Sequence, residues 1–262
     1  MERSPRPSSS SLKRGAAQDS LKTSMSSPRA SLANTLPVLD FENPFSNPGH
    51  YSSASTFLPL HMEKAYAYPL FVWLSGTGKG DFRLSKVMPK ISLRNYIGIA
   101  PELRSPANGS PSEEQNEVVF ECLDKACIQY NINSSRIFLA GAGEGGQLAL
   151  NLAMTHSDYF AGVISLGGEF PQNPSLMGDL RSVRKTPVFM AQSREDETYG
   201  ESAFCDDLKM LHVGGFSVTA RQYPGSEPLM DQMLHDIDVW MMEIINGYDM
   251  TTSSDQTTHE FN

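Results

Sequence analysis

Four glycines crowd into six residues at Gly141-Ala142-Gly143-Glu144-Gly145-Gly146, between an apolar run, Ile137-Phe138-Leu139-Ala140, and the helically spaced Leu148, Ala149 and Leu150. The pattern reads as strand, tight turn and helix, with glycine supplying positive φ and close helix-to-sheet packing. Such a turn carries chemistry in one of two ways. A G-x-S-x-G elbow lifts a nucleophilic serine above a sheet, whereas a G-x-G-x-x-G turn lays a pyrophosphate on a helix N-terminus. Gly143 stands where the elbow would carry its serine. Gly141, Gly143 and Gly146 spell the dinucleotide pattern, with Glu169 as the acid that would reach a ribose. Against that reading, several strands precede the motif, and Glu169 follows the Gly167-Gly168 break instead of sitting at a strand tip.

The elements that must position this turn follow from hydrophobic periodicity. Residues 56–62 and 68–74 read as two strands joined by a short polar turn, the second apolar enough to be buried on both faces. A glycine-rich loop, Ser75-Gly76-Thr77-Gly78-Lys79-Gly80, comes off the second strand, where oxyanion or phosphate donors would sit. It lacks the G-x-x-x-x-G-K-[ST] spacing of a phosphate loop. Helical spacing then covers 82–91, and a strand at 96–101 stops at Pro101. A helix opened by Ser112-Glu113-Glu114-Gln115 runs to about residue 130. After the glycine turn come a helix to about 154, strands at 162–166 and 187–192, a helix over 199–212, a strand at 217–222 and a helix over 229–245. Strands alternating with helices after an initial antiparallel hairpin predict an α/β fold, with a mostly parallel sheet and helices on both faces. Met230, Met233, Met241 and Met242 around Trp240 read as packing of the last helix.

The 262 residues have room for one globular domain of about 200 residues. Residues 1–50 are rich in Ser, Pro and Arg and cannot offset the entropy of ordering, so they read as a disordered tail; 51–248 is the domain and 249–262 a polar tail. Net charge is −9, yet residues 1–35 hold six Lys or Arg against Glu2 and Asp19, so the folded body is more acidic than the total. That argues against nucleic-acid binding. Arg181, Arg184 and Lys185 read as a solvated loop. Cys122, Cys127 and Cys205 suit neither a disulfide framework nor a metal knuckle; they read as buried or half-buried free thiols in a reducing compartment. With no apolar leader and no window of about 18 apolar residues, the expectation is a cytoplasmic protein without a membrane span.

Several ordered blocks together resemble the phospholipase/carboxylesterase group of α/β-hydrolases, relatives of acyl-protein thioesterases, from about Tyr51 to Tyr248. Tyr68-Pro-Leu-Phe-Val-Trp-Leu-Ser-Gly76 is similar to the family's strand ending in His-Gly. Arg136-Ile-Phe-Leu-Ala-Gly141 with Gly145-Gly146 matches its elbow. Pro187-Val-Phe-Met-Ala-Gln-Ser-Arg-Glu-Asp196 resembles the strand carrying the triad acid, and Tyr223-Pro-Gly225 the approach to the triad histidine. The resemblance implies a three-layer α/β-hydrolase fold, with Asp196 as the retained triad acid. It also implies that Gly143 replaces the nucleophile, Ser75 replaces the histidine of His-Gly, and Glu227 or Pro228 replaces the triad histidine. Backbone donors for an oxyanion would be the N–H groups of Thr77 and Glu144, with Ser75, Gly76 and Gly78 forming the pocket loop. Neither cofactor nor metal is implied.

Serine-type acyl transfer needs a nucleophile, a base and oxyanion donors. None of the six histidines supplies the base: His50 and His259 fall in the tails, His61 precedes the second strand, and His156, His212 and His235 fall at or within helices. Loss of nucleophile and base costs on the order of 10⁶-fold in rate. The expectation is a degenerate hydrolase that binds a small acyl or ester-like ligand, or a protein partner. Against it stands a hydrolase using water with Glu144 or Glu227 as base and Asp196 in support, or a displaced Ser75 or Ser226. Glu144 is favoured by the helix dipole by roughly 0.3–1 kcal/mol and would repel an oxyanion. It reads as a solvent-facing carboxylate, or with Asp196 and Glu227 as an acidic floor able to act as base or hold a cation.

Overall fold

The computed structural model describes residues 53–75, 82–104, 113–171, 184–227 and 229–247, and the backbone of 38–40. Eight strands form one sheet: β1 (Val38–Asp40), β2 (Ala54–Phe57), β3 (Tyr68–Ser75), β4 (Ile97–Pro101), β5 (Ile132–Ala142), β6 (Gly162–Leu166), β7 (Val188–Ser193) and β8 (Val218–Tyr223). Their spatial order is β1-β2-β4-β3-β5-β6-β7-β8. From β4 to β8 every neighbouring pair is parallel, and the antiparallel pairs are β1 with β2 and β2 with β4.

Two details differ from the sequence reading. The strand read over 56–62 is Ala54–Phe57, and it is not a hairpin neighbour of β3, because β4 lies between β2 and β3. The antiparallel start of the sheet is made by β1 and β2, and β1 falls inside the stretch read as tail. β5 is also longer than its apolar run, since Ile132 and the polar Asn133-Ser134-Ser135, half-buried or exposed, come before the buried Ile137.

Among the described residues five helices cover the sheet: α1 (Leu84–Ile91), α2 (Glu113–Gln129), α3 (Glu144–Thr155), α4 (Glu201–Gly214) and α5 (Asp231–Ile245). Alternation along β3 sets the layers. Leu70, Val72 and Leu74 pack in one core with residues of α2, α3 and α4, while Phe71 and Trp73 pack in another with α1 and α5. Burial on both faces explains the unbroken apolar run of β3. The last helix packs as its methionines predicted: Met233, Met241 and Trp240 are buried, with Met230 and Met242 against them. A Cβ on Gly162 would stand 2.7 Å from Trp240 Cη2, so the ring lies directly on that strand.

All three cysteines are free thiols. Cys122 is buried, and burial pushes its thiol up to about 11. Cys127 and Cys205 are exposed, not half-buried, because both fall on outward positions of α2 and α4. No helix among the described residues is long and apolar enough to cross a membrane.

Tyr96, fully buried, donates its hydroxyl to Asp238 Oδ1 at 2.8 Å and ties the start of β4 to α5. Burial raises the Asp238 carboxyl above the usual carboxylate range, against the opposing effect of the Tyr96 hydrogen bond. The folded state therefore holds this proton more tightly than the unfolded chain, and the stability so gained at low pH is lost as pH rises through the folded pKa. Asp238→Asn keeps an oxygen acceptor and removes the charge. Its stability relative to wild type is expected to increase between about pH 4 and pH 7 in urea denaturation; a difference that stays flat with pH would show that Asp238 titrates normally.

Candidate functional site

The site is built on the C-terminal edge of the parallel strands, where register aligns Ser75 with Ala142, Ala142 with Leu166, and Leu166 with Ala191. The next residue after Ala142 is Gly143, at φ +54 and ψ −121, and α3 starts at Glu144. An L side chain rarely adopts this backbone, yet a Cβ there would meet nothing within 4 Å. The apex is thus a sharp, open elbow without a side chain. Its N–H donates to Leu166 O at 2.8 Å, and its carbonyl accepts from Gln147 N at 3.0 Å.

Backbone contact holds the elbow in place. A Cβ on Gly141 would lie 2.3 Å from the carbonyl carbon and oxygen of Gly145 and 2.7 Å from Gly146 N. Gly146 in turn lies against Ser165 Oγ, 2.6 Å from its would-be Cβ. Glycines 141 and 146 of the motif are therefore explained by strand-to-helix packing. Glu169 is exposed, three residues past the end of β6.

Asp196 lies in the turn after β7. Its Oδ1 accepts from Thr198 N at 2.8 Å, Thr198 Oγ1 at 2.6 Å and Tyr199 N at 3.3 Å. Its Oδ2 lies 3.2 Å from where a Cβ on Gly167 would be, which puts the carboxylate over the end of β6, beside the strand that carries the elbow. The loop after β8 joins this turn: Arg194 N donates to Tyr223 O at 2.8 Å, Glu195 N to Gly225 O at 3.0 Å, and Ser193 Oγ to Glu227 O. The structure thus brings the elbow, Ser75, the Asp196 turn and the loop bearing Ser226 and Glu227 to one edge. Glu144, Ser226 and Glu227 are exposed.

Gly76, Thr77, Gly78, Lys79, Pro228, Arg181, His50 and His259 lie outside the described residues. No described histidine hydrogen-bonds to Asp196. His156 packs on Phe120 at 4.7 Å, and burial lowers its pKa. His235 lies on α5 near Asp238, and His61 is an exposed turn residue at φ +58. Among the described residues no three His, Cys, Asp or Glu side chains gather to hold a metal, so Glu144, Asp196 and Glu227 do not form a cation site.

One supporting residue escaped sequence reasoning. Asp207 is buried on α4, where Oδ2 accepts from Phe170 N at 2.8 Å and from Tyr199 Oη at 2.6 Å. Burial, followed by this bond, raises the Tyr199 hydroxyl. Asp207 thereby links the turn after β6 to the turn bearing Asp196. The available signal was a carboxylate three residues from Phe204 and four from Leu211, on the core-facing stripe of a helix.

The model of the phospholipase/carboxylesterase family matches residues 112–248. The protein described as probable carboxylesterase SOBER1-like from Arabidopsis thaliana is 25% identical over 231 residues, 76% of this chain and 86% of that protein. Carboxylesterase SOBER1 from the same plant is 24% identical over 166 residues, 61% of this chain and 72% of that protein. The crystal structure of SOBER1 has a TM-score of 0.56 at 18% identity, covering 68% of this chain and 100% of that one. A thermostable esterase has the same TM-score, 0.56, at 20% identity; the match covers 80% of this chain but 60% of the esterase. At these identities the structural matches speak for the fold.

Gly143→Ser is expected to fold, since the site is open, but to lose about 1–3 kcal/mol from the positive φ, read as a lower urea midpoint. Asp207→Ala removes two bonds to a charged acceptor and leaves a buried N–H unpaired. It is expected to cost about 2–3 kcal/mol by the same measurement, and an unchanged midpoint would show that the two turns hold without it.

Proposed function

The chain belongs to the phospholipase/carboxylesterase family, and we propose that it is a member without the family's serine chemistry, which binds a small acyl or ester-like ligand at the former acyl site and does not cleave it. The observation that carries this reading is the elbow apex. Gly143 occupies the strained, open position from which a side-chain nucleophile would attack, and it offers neither hydroxyl nor thiol. Nor does any histidine among the described residues hydrogen-bond to Asp196, whose Oδ1 accepts from Thr198 and Tyr199 instead. Without a nucleophile or a base, the charged tetrahedral species of acyl transfer does not form, whatever donors surround it. The retained elbow and acid turn still shape a place for the carbonyl end of a ligand. A protein partner at the same edge is the other occupant compatible with the exposed Glu144 and Glu227. The three free thiols suit a cytoplasmic setting.

A second reading draws on Asp196 Oδ2, which accepts no hydrogen bond among the described residues and stands over the end of β6 beside the elbow. There a carboxylate could activate water, with Glu144 or Glu227 in reach of the same edge. One assay separates the two. Purified wild-type protein is expected to hydrolyse p-nitrophenyl acetate and butyrate no faster than buffer, as is the triple variant Glu144→Gln, Asp196→Asn, Glu227→Gln. Turnover by wild type that vanishes in the triple variant would overturn the binding reading in favour of carboxylate chemistry.

A further inference from the structure

The opposite edge of the sheet carries a cavity unconnected with the elbow. Tyr68 begins β3 and is in register with Ile132, the first residue of β5, while Gly143 follows that strand's last residue. At about 3.3 Å per residue the two ends of β5 are roughly 30 Å apart. Around Tyr68 lies a cavity of about 230 Å³, lined by Glu63, Tyr66, Arg94, Met242 and Ile245 among others. It is smaller than the ~300–1,000 Å³ typical of pockets for drug-sized molecules, so its occupant is small.

The walls are built, not incidental. The rings of Tyr66 and Tyr68 meet edge to face with centroids 4.6 Å apart. Glu63 N donates to Tyr68 Oη at 3.0 Å, and Tyr66 N to Glu63 O at 3.2 Å, which fixes the turn that carries both Glu63 and Tyr66. Tyr68 is buried, while Tyr66 is 47% exposed, a large ring left at the mouth. Asn95 on the same wall is committed to Asp238. Arg94 and Glu63 are not committed: among the described residues neither side chain has an ion pair or a hydrogen bond, although they carry opposite charges on one small cavity.

A guanidinium suits a carboxylate, a carboxylate suits an ammonium, and the tyrosine ring with Met242 and Ile245 suits an apolar group between them. We propose that this cavity is a binding site for a small free α-amino acid with an apolar side chain, its carboxylate on Arg94, its ammonium on Glu63 and its side chain against Tyr66, Met242 and Ile245. Both charged contacts are solvent-accessible and individually modest, so the affinity is on the order of 1 mM. The site is independent of the reading of the elbow.

The test is a titration of the full chain, carrying ¹³C-methyl methionine, with L-phenylalanine, L-leucine and L-methionine beside 3-phenylpropionate and phenethylamine. At least one amino acid is expected to bind saturably and to shift the Met242 methyl resonance. 3-Phenylpropionate and phenethylamine, each lacking one charge, are expected to bind about 3- to 10-fold more weakly than L-phenylalanine. Arg94→Gln and Glu63→Gln, both at exposed positions and checked for an unchanged far-UV spectrum, are each expected to weaken amino-acid binding by a similar factor. Failure of all three amino acids to bind at tens of millimolar would overturn the proposal. So would equal binding of either single-charge analogue, indifference to both substitutions, or an unmoved Met242 methyl.

Discussion

Where β5 gives way to α3, two stretches of backbone lie against each other with no side chain between them. Any Cβ on Gly141 would collide with the peptide of Gly145, and one on Gly168 would stand 2.6 Å from Gly143 O. This contact allows a helix to start at the very tip of a central strand. It also brings the turn after β6 within reach, so that Gly143 N can donate to Leu166 O. Ser75, the Asp196 turn and the loop after β8 take their places relative to that junction because each ends a strand registered, directly or through a neighbour, with β5 or β6.

The supports of this edge do not depend on a nucleophile. Asp207 holds Phe170 and Tyr199 from beneath, Asp196 caps its own turn, and Ser193 fastens the Glu227 loop. Glycine at the apex relaxes a backbone position where another residue would be strained. The shape of this edge therefore does not rest on a side chain at position 143. In such a fold the scaffold and the chemistry rest on separate residues.

Much of the fold was legible because its signals are local. The apolar run of β3, the helical spacing of α1 and α5 and the glycine turn each report the burial of their own segment. The limits of β5 were less so, since Asn133, Ser134 and Ser135 are polar and fall in the register shift between the Tyr68–Ile132 and Leu70–Ile137 pairs. The neighbour of β2 was misjudged because order along the chain does not state order across a sheet, and β4 returns to take the inner place. At the site, residue types at the elbow could be read directly. Asp207 could not, because its partners lie 37 and 8 residues away and only the fold makes them neighbours. The turn joining Glu195 to Gly225 was hidden for the same reason.

Among the described residues the sheet ends at β8, a six-residue strand reading Val-Thr-Ala-Arg-Gln-Tyr whose residues are mostly half-buried, with Arg221 exposed. Unpaired peptide groups on such a border invite a strand from another molecule, the first step toward aggregation. Here the border is short, bears a guanidinium in its middle, and is stopped by Pro224 immediately after Tyr223. A proline has no N–H to continue a ladder. Features of this kind act as gatekeepers, because they disfavour the pairing of a further strand on a sheet border.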